Sequence, residues 1–253
     1  MARAAKKRRI AILTGGGDCP GLNAVIRAVV SRAVVTHEME VVGILNGWDG
    51  LMDGHVRPLG RDDVRGILQR GGTILGTSRR DPYVHGDGYA SVRRTVEANG
   101  IDAVIVIGGD GTLRTALALQ REGLAVIGVP KTIDNDIAGT DLTFGFDTAV
   151  SIATEALDRI STTAESHNRI MVVEVMGRTK GWIATYAAPR SRSSRLCVKW
   201  NRPGRVITSD PPWFNRDGGI GSAGPEALPY VMNHPRGRRD FMLDSADVFP
   251  TLS

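Results

Sequence analysis

The chain has 253 residues, of which 42% are hydrophobic and 23% charged, and this composition is ordinary for a protein that folds around a core. Its two cysteines exclude a disulfide framework, and no apolar run reaches the about 18 residues of a membrane helix, so we expect a cytoplasmic protein with no membrane partner. The net charge of +5 arises at the chain ends, since residues 10–188 hold 17 Lys and Arg against 21 Asp and Glu, which argues against a nucleic-acid partner.

The first part of the chain alternates strands with helices. Residues 9–13 and residues 40–45 are predicted as buried strands, because both runs are short and apolar. Between them, apolar residues recur three and four positions apart from Leu22 to Val34, which predicts a helix. A glycine-rich turn at residues 14–21 joins the first strand to this helix. This order of elements is typical of a parallel α/β sheet.

The alternation continues to residue 188 and then ends. We predict further helices and strands over residues 89–99, 103–107, 112–122, 124–128, 148–164 and 170–175, and a short helix that ends at residue 188. Residues 189–253 contain eight of the twelve prolines and only ten Ile, Leu or Val, with no sustained periodicity. We therefore expect no further strand of an α/β sheet in this tail.

Two loops that follow predicted strands have the glycine content of phosphate-binding loops, and ligands of open α/β sheets bind at such strand ends. The glycines of residues 15–21 let backbone N–H groups approach an anion at the start of the next helix. In residues 108–112, Asp110 can place a carboxylate on Mg²⁺ while neighbouring N–H groups hold phosphates. The structural alternatives are a tight turn for the first loop and an Asp N-cap for the second.

A pair of aspartates follows the strand predicted at residues 124–128. Asp134 and Asp136 are two positions apart, so in an extended chain their carboxylates would point the same way. One carboxylate can then accept the proton of an attacking hydroxyl, while the other orients it or contacts Mg²⁺. The alternative is an Asx-rich turn without a chemical role.

Several cationic residues suit phosphate groups, because guanidinium forks match phosphate oxygens. They are Arg79, Arg80, Lys131, Arg169 and Arg178, and for each of them alone a solvated surface position is the alternative. Cys19 has no evident base partner in the sequence, so we interpret it as a small packing residue.

Taken in order, these motifs resemble those of the phosphofructokinase family, from residue 9 to about residue 188. The matching segments are residues 16–21, 71–79, 108–112, 130–136, 166–169 and 173–178. The resemblance implies an α/β fold with the parallel, Rossmann-like three-layer sheet of the phosphofructokinase type and a truncated second domain. It divides the chain into a basic N-terminal arm at 1–8, a donor-binding domain at 9–137, the start of a sugar-phosphate domain at 138–188 and an unmatched irregular tail at 189–253.

The resemblance also implies an activity, which is Mg²⁺-dependent transfer of a phosphoryl group to the 1-hydroxyl of fructose 6-phosphate, a step of glycolysis. It assigns the donor site to Gly16, Arg79, Arg80, Gly109, Asp110, Gly111 and Thr112, with Asp110 on Mg²⁺. It makes Asp134 the general base and adds Asp136 and Lys131 to the catalytic set. It assigns the sugar phosphate to Thr132, Ile133, Asp134, Arg169, Met176, Gly177 and Arg178. Arg169 would serve a neighbouring subunit, so a homo-oligomer (a dimer or tetramer) is implied.

The expected phosphoryl donor depends on two positions. Family members that use pyrophosphate typically have Asp where this chain has Gly111, so Gly111 favours ATP. The same members have Lys at the position of Lys131, where many ATP-using members have Gly. The combination resembles the mixed-substrate, actinobacterial-type subgroup. We expect ATP as the donor, with pyrophosphate as the alternative.

The tail separates two interpretations of the whole chain. The family continues well beyond the length of this chain, and its later sugar-binding motifs are not found here. We expect the residues from about Pro189 to result from a shifted reading frame or a similar truncation, and the alternative is an evolved extension with its own fold. The chain is then either an ATP-dependent kinase or an inactive remnant that at most binds nucleotide.

Overall fold

The computed structural model describes residues 7–178, 180–191, 196–200 and 206–208. The chain divides into two compact units, Met1–Gly145 and Phe146–Ser253. The division of these units into a donor domain and a sugar-phosphate domain stays a prediction, as does the boundary after residue 137.

A six-stranded sheet forms the centre of the first unit, in the order β3-β2-β1-β4-β5-β6. The strands are β1 (Arg9–Thr14), β2 (Glu40–Ile44), β3 (Val56–Pro58), β4 (Ala103–Gly108), β5 (Val126–Thr132) and β6 (Phe144–Gly145). All neighbouring strands are parallel except β3, which pairs antiparallel with β2 at the edge. Pro58 in β3 fits this edge position, because proline cannot donate to a neighbouring strand.

Five α-helices accompany the sheet in the described part of the first unit. They are α1 (Leu22–Ser31), α2 (Trp48–Asp53), α3 (Pro82–His85), α4 (Tyr89–Ala98) and α5 (Asp110–Arg121). A π-helical turn, Arg32–Thr36, continues α1. The apolar face predicted from Leu22 to Val34 therefore belongs to one helix that widens in its last turn.

Alternate residues of the strands fill two separate cores, because successive side chains of a strand point to opposite faces. On one face, Leu13 and Val106 pack with residues of α2, α4 and α5. On the other face, Ile12 and Ile107 pack with residues of α1. The unit thus has three layers, with helices on both faces of a mostly parallel sheet, and the predicted α/β class is confirmed.

The second unit contains α6 (Phe146–Ser166), β7 (Met171–Val175), α7 (Trp182–Arg190), β8 (Leu196–Trp200) and β9 (Val206–Thr208). Strand β8 pairs parallel with β7 and antiparallel with β9. The ring of Tyr186 on α7 meets Phe146 and Trp182 edge-on, with ring centroids 5.3 and 6.0 Å away. These aromatic contacts join the start of α6 to α7.

The expectation that no strand of the sheet follows residue 188 is wrong for residues 196–200 and 206–208. Strand β8 lies at 196–200 in a five-residue pairing with β7, β9 at 206–208 pairs with β8, and α7 itself continues to Arg190. Both strands are short, and β8 has Arg and Ser before it and Arg and Pro after it, which weakens the sequence signal. Most of the tail, residues 209–253, lies outside the described residues, so the proposed reading-frame shift stays a prediction.

Candidate functional site

The strand order creates a crevice at the carboxyl ends of β1 and β4. Within the sheet, β1 has β2 as its neighbour on one side and β4 on the other, so the strand order reverses direction between β1 and β4. Helices that start from β1 and β4 therefore diverge, and ligands of open α/β sheets bind at such a switch point. The two glycine-rich loops, residues 15–21 and 108–112, begin at these two strand ends.

The side chain of Thr112, in the first turn of α5, packs against both Gly15 and Gly108. A Cβ atom placed on Gly15 would lie 2.7 Å from Cγ2 of Thr112, and one on Gly108 would lie 2.5 Å from its Cβ. The N–H of Gly15 also donates to the carbonyl of Ile107 at 2.9 Å. The two loops are thus in direct contact, and both glycines are needed for that contact. We call Gly15, Gly108 and Thr112 the loop junction.

Helix α5 presents its N-terminus at the same edge. Gly109 precedes the helix in extended conformation and Asp110 is the first helical residue, so no side chain caps the helix. The alternative of Asp110 as an N-cap is therefore wrong. Its Oδ1 accepts from Nε of Arg114 at 3.0 Å, one turn later. The carboxylate is 36% exposed, so it is accessible at the start of the helix.

Gly111 stands in the first turn of α5 without a structural reason. A Cβ on Gly111 would have no atom within 4 Å, and the backbone of this residue is right-handed helical. Glycine inside a helix costs roughly 1 kcal/mol relative to alanine. The fold therefore accepts a side chain at this position, and the glycine leaves open space beside Asp110.

Lys131 near the end of β5 reaches into the first glycine loop. Its Nζ donates to the carbonyl of Gly17 at 2.5 Å, and the residue is only 4% exposed. Burial lowers the pKa of the Lys131 ammonium, because the charged form loses its hydration. This contact connects the carboxyl end of β5 to the glycine loop after β1.

Cys19 is a packing residue, as predicted. The side chain is 3% exposed and its thiol donates to the carbonyl of Phe144 in β6 at 3.2 Å. Burial raises the pKa of the Cys19 thiol to about 11, and the nearby Lys131 ammonium offsets only part of this effect. The thiol is therefore not a nucleophile at neutral pH.

The two aspartates after β5 lie in a turn, not in an extended segment. Asn135 between them has a left-handed backbone (φ 48°), so the extended chain assumed for this pair is wrong. The N–H of Thr143 donates to Oδ1 of Asn135 at 3.1 Å, which holds the turn. The N–H of Asp134 donates to Oγ1 of Thr132 at 3.2 Å. Asp134 and Asp136 are both half-buried at the carboxyl edge.

The two predicted donor arginines have different surroundings. Arg80 forms ion pairs with Asp49 at 3.3 Å and Asp53 at 3.6 Å, both on α2, and donates to the carbonyl of His85. Arg79 is exposed. In this structure the guanidinium of Arg80 is thus held by carboxylates of the protein itself.

The remaining predicted site residues belong to the second unit. Arg169 is exposed after α6, and its N–H donates to the carbonyl of Ala164 at 2.9 Å. Met176 is exposed after β7, Gly177 is buried, and Arg178 has a left-handed backbone (φ 44°). Turn geometry after β7 thus presents Met176 and Arg178 at the surface of this unit.

Sequence reasoning missed two polar residues beside the first glycine loop. Thr14 ends β1 and Asn23 lies in the first turn of α1, and both are buried, at 0% and 1% exposure. The available signal was their position, because each is a polar residue inside an otherwise apolar pattern.

The described residues offer neither a metal-ligand cluster nor a membrane-spanning helix. Within the described ranges there is no group of three or more His, Cys, Asp or Glu that could hold a metal ion. No helix in that part of the chain is both long and apolar enough to cross a membrane.

Comparison with known families gives a match over most of the chain. A family model described as phosphofructokinase matches residues 9–199, so the resemblance extends past residue 188 into β8. The ATP-dependent 6-phosphofructokinase 3 of Streptomyces coelicolor is 62% identical over 190 residues, which cover 75% of this chain and 56% of that protein. The pyrophosphate–fructose 6-phosphate 1-phosphotransferase of Amycolatopsis methanolica is 61% identical over 179 residues, 71% of this chain and 52% of that protein. The chain spans about half the length of these curated relatives.

Solved structures match the fold over a similar share of the chain. Phosphofructokinase of Pichia pastoris in the T-state has a TM-score of 0.68 and 38% identity, over 74% of this chain and 22% of that one. Phosphofructokinase from Saccharomyces cerevisiae has a TM-score of 0.64 and 37% identity, over 72% of this chain and 28% of that one.

Proposed function

The chain belongs to the phosphofructokinase family, and from that membership and the geometry of the carboxyl edge we propose that it transfers a phosphoryl group to the 1-hydroxyl of fructose 6-phosphate. The observation that carries the proposal is that three strand ends meet at the carboxyl edge: Thr112 packs against Gly15 and Gly108, and Lys131 near the end of β5 donates to Gly17 in the first glycine loop. The proposed reaction is a step of glycolysis, in the cytoplasm.

The proposed donor site consists of loop residues at the crevice. Backbone N–H groups near Gly16 and in the segment from Gly109 to Thr112 would bind the phosphates, together with Arg79 and Arg80. The positive end of α5 supports this assignment, since its first-turn N–H groups have no side-chain cap. For Arg80, binding a phosphate requires leaving Asp49 and Asp53.

Asp110 is the residue proposed to hold Mg²⁺. A single accessible carboxylate fits this ion, which usually binds one or two carboxylates and takes further ligands from water and substrate phosphates. When bound, Mg²⁺ neutralises part of the charge of the phosphates. The exposed ion pair with Arg114 is weak enough to open for it.

Asp134 is the proposed general base. Its carboxylate would take the proton of the 1-hydroxyl as the bond from O1 to phosphorus forms and the bond from phosphorus to the leaving phosphate breaks. Thr132 supports the assignment, because its hydroxyl accepts from the N–H of Asp134 and fixes the turn. Ile133, Asp136 and Lys131 complete the proposed catalytic edge.

ATP is the proposed donor. The open space at Gly111 supports it, because a carboxylate there would stand against the extra phosphate of a nucleotide. Pyrophosphate is the second candidate, since the Amycolatopsis methanolica relative is named for it and this chain has Lys131. Relatives of both names are similar to this chain to nearly the same degree, so the donor has to be measured.

The proposed sugar-phosphate site takes residues from the second unit and from a neighbouring subunit. Met176, Gly177 and Arg178 are proposed to line the sugar site, and Arg169 to reach the substrate of a neighbouring subunit in a homo-oligomer. Because the chain spans about half of its relatives, activity of these 253 residues is part of the proposal. The alternative is a remnant that binds nucleotide without turnover.

The test compares binding with turnover. We expect the purified chain to bind MgATP in calorimetric titration and to form fructose 1,6-bisphosphate and ADP from fructose 6-phosphate and MgATP. A parallel assay with pyrophosphate measures the second candidate. Binding of MgATP without product in either assay supports the remnant. Failure to bind either donor contradicts the proposed site.

A further inference from the structure

Two buried polar side chains flank the first glycine loop in sequence and have no part in the proposed chemistry. Thr14 is the last residue of β1 and Asn23 lies in the first turn of α1, nine residues later. Both are essentially inaccessible to solvent. Burying a polar group is unfavourable unless it is hydrogen-bonded, so the partners of these side chains identify what they hold.

Thr14 holds both ends of one turn. Its Oγ1 donates to the carbonyl of Gly76 at 2.7 Å and lies 2.9 Å from Oγ1 of Thr73. Because the Thr14 proton is used for Gly76, the hydroxyl of Thr73 is the donor of the second bond. Oγ1 of Thr73 in turn accepts from the N–H of Leu75 at 3.2 Å. One hydroxyl of β1 thus fixes residues 73–76.

Asn23 holds the segment just before that turn. Its Nδ2 donates to the carbonyls of Arg70 at 3.0 Å and Gly71 at 3.3 Å. Its Oδ1 accepts from the N–H of Ile74 at 2.9 Å. The amide therefore uses both its donor and its acceptor atom on the backbone, which an apolar side chain of similar size cannot do.

The segment held by Thr14 and Asn23 supports the glycine loop in return. Residues 70–78 contain no helix or strand, so several of their backbone groups bond to partners outside the segment. The N–H of Gly16 donates to the carbonyl of Ser78 at 3.2 Å, and the hydroxyl of Thr77 donates to the carbonyl of Gly16 at 2.6 Å. We call residues 14–17 and 70–78 the paired loops.

We propose that Thr14 and Asn23 are positioning residues, which hold the paired loops in the arrangement that receives the phosphoryl donor. The inference rests on the proposed donor site, since Gly16 lies in one loop and Arg79 directly follows the other. A flexible loop loses conformational entropy when it becomes ordered around a ligand. Loops that are already ordered avoid this cost, so their order before binding raises the affinity. Neither side chain needs to touch the donor for this effect.

The variants remove hydrogen bonds while they keep side-chain volume. Thr14→Val and Asn23→Leu remove the polar atoms, and Thr14→Ser keeps the hydroxyl. Thr73→Val breaks the same hydroxyl pair from its less buried side, in case Thr14→Val does not fold. Thr185→Val is the matched control, because Thr185 is also buried but its hydroxyl donates only within its own unit, to the carbonyl of Gly181 at 3.0 Å.

Two measurements separate holding the loop from binding the donor. Amide hydrogen exchange followed by mass spectrometry reports the order of residues 70–78 without any substrate. Calorimetric titration with MgATP reports affinity. In Thr14→Val, Thr73→Val and Asn23→Leu we expect exchange in residues 70–78 and the Kd for MgATP each to rise about tenfold, because an unsatisfied buried group costs about one factor of ten or more. Thr14→Ser and Thr185→Val should stay close to the parent in both.

The outcomes are distinct. Faster exchange with an unchanged Kd, in a parent chain that binds MgATP, would overturn the positioning role and leave Thr14 and Asn23 as structural residues. Unchanged exchange in all three variants would also overturn it. If the parent chain binds no donor, the proposed donor site fails by itself. The positioning role, which rests on that site, then fails with it, and faster exchange in the variants would show only that Thr14 and Asn23 hold residues 70–78.

Discussion

Gly108 in the loop junction and Gly111 in the first turn of α5 are close neighbours in the chain, yet packing explains the glycine at only one of these positions. At the junction, Gly15 and Gly108 touch Thr112 so closely that a Cβ on either glycine would overlap it. Three residues beyond Gly108, Gly111 has no atom within 4 Å of where its Cβ would be. Both positions hold glycine, but the fold explains the glycine at only one of them.

The difference separates residues that the fold requires from residues that it tolerates. A residue fixed by packing shows its effect in stability, and a residue that packing leaves free shows it in binding or turnover. We place Gly15, Gly108 and Thr112 in the first class and Asp110, Gly111 and Asp134 in the second. The following variants test that assignment.

Asp134→Asn has the largest expected effect, and it is on turnover. A positioned general base contributes roughly 10²- to 10⁴-fold to the rate, so kcat should fall by about that factor. The unfolding temperature should change little, because asparagine keeps the shape of the side chain and the Thr132 hydroxyl still accepts from the backbone N–H. Steady-state kinetics and thermal unfolding of the same samples check this.

The Asp134 measurement needs an active background. It uses the 253-residue chain if that chain turns over, and otherwise a chimera in which the second half of the Streptomyces coelicolor relative follows residue 188. Asp136→Asn is the comparison variant, because Asp136 is the other carboxylate of the proposed catalytic edge and lies two residues away in the same turn. Near-full kcat in Asp134→Asn together with a loss in Asp136→Asn would reverse the roles of the two carboxylates.

The alkylation rate of Cys19 measures how accessible and how ionised this buried thiol is in the folded protein. Because the folded protein raises the pKa of this thiol from 9.0 to about 11, its thiolate fraction near pH 8 is about 100-fold below that of an ordinary cysteine. We therefore expect iodoacetamide to modify Cys19 at least about 100-fold more slowly in the native protein than in urea. Mass spectrometry of the peptide that contains Cys19 gives the rate.

The same pKa predicts a loss of stability at high pH. Folding favours the protonated thiol, so this contribution is present below about pH 9 and disappears as the pH rises through about 11. Cys19→Ala should lack this part of the pH dependence in urea unfolding. Rapid alkylation of native Cys19 at pH 8, or identical pH profiles of the two proteins, would contradict the buried placement.

Gly108→Ala and Gly111→Ala compare the two classes with one chemical change. At Gly108 the new methyl group would lie 2.5 Å from Cβ of Thr112, close to the backbone of α5, so we expect a loss of about 1–3 kcal/mol in unfolding free energy. At Gly111 the methyl group meets nothing, so we expect a gain of about 0.5–1 kcal/mol from helix propensity. Urea unfolding measures both, and equal effects of the two variants would contradict the comparison.

The regular part of the fold could be predicted because its signals are local. The strands β1, β2 and β4 are continuous apolar runs, and the predicted limits differ from the observed ones by at most one residue. The predicted limits of β5, residues 124–128, differ more from the observed Val126–Thr132, because Pro130 and Lys131 in its second half are not typical of a buried strand. The short elements α2, α3, β3 and β6 are too brief to show a period.

The candidate site could be predicted as a set of loops but not as a set of contacts. The rule that ligands bind at strand ends selects residues 15–21, 108–112 and 132–136 from sequence alone. No local pattern indicates that Lys131 donates to Gly17, 114 positions away, or that Asn23 holds residues 70–74. These contacts depend on how the strands are ordered in the sheet, and no local pattern indicates that the side chain of Asn135 accepts from Thr143, eight residues later.

Gly111→Asp is the finest test of the comparison, because it changes the choice of donor and not the fold. The open space beside Asp110 accepts the new side chain, and an aspartate in the first turn of a helix interacts favourably with the helix dipole, so stability should be unchanged or slightly higher. The added carboxylate would repel the phosphate that ATP has and pyrophosphate lacks. At a partly solvated edge we expect this repulsion to lower kcat/KM for ATP about tenfold more than for pyrophosphate.

Gly111→Asn, which has the same shape without the charge, should retain most of the ATP activity. Both variants are measured with both donors in the active background used for Asp134. Equal losses for ATP and pyrophosphate in Gly111→Asp would mean that Gly111 serves the loop backbone, and the assignment of this glycine to the tolerated class would then be wrong.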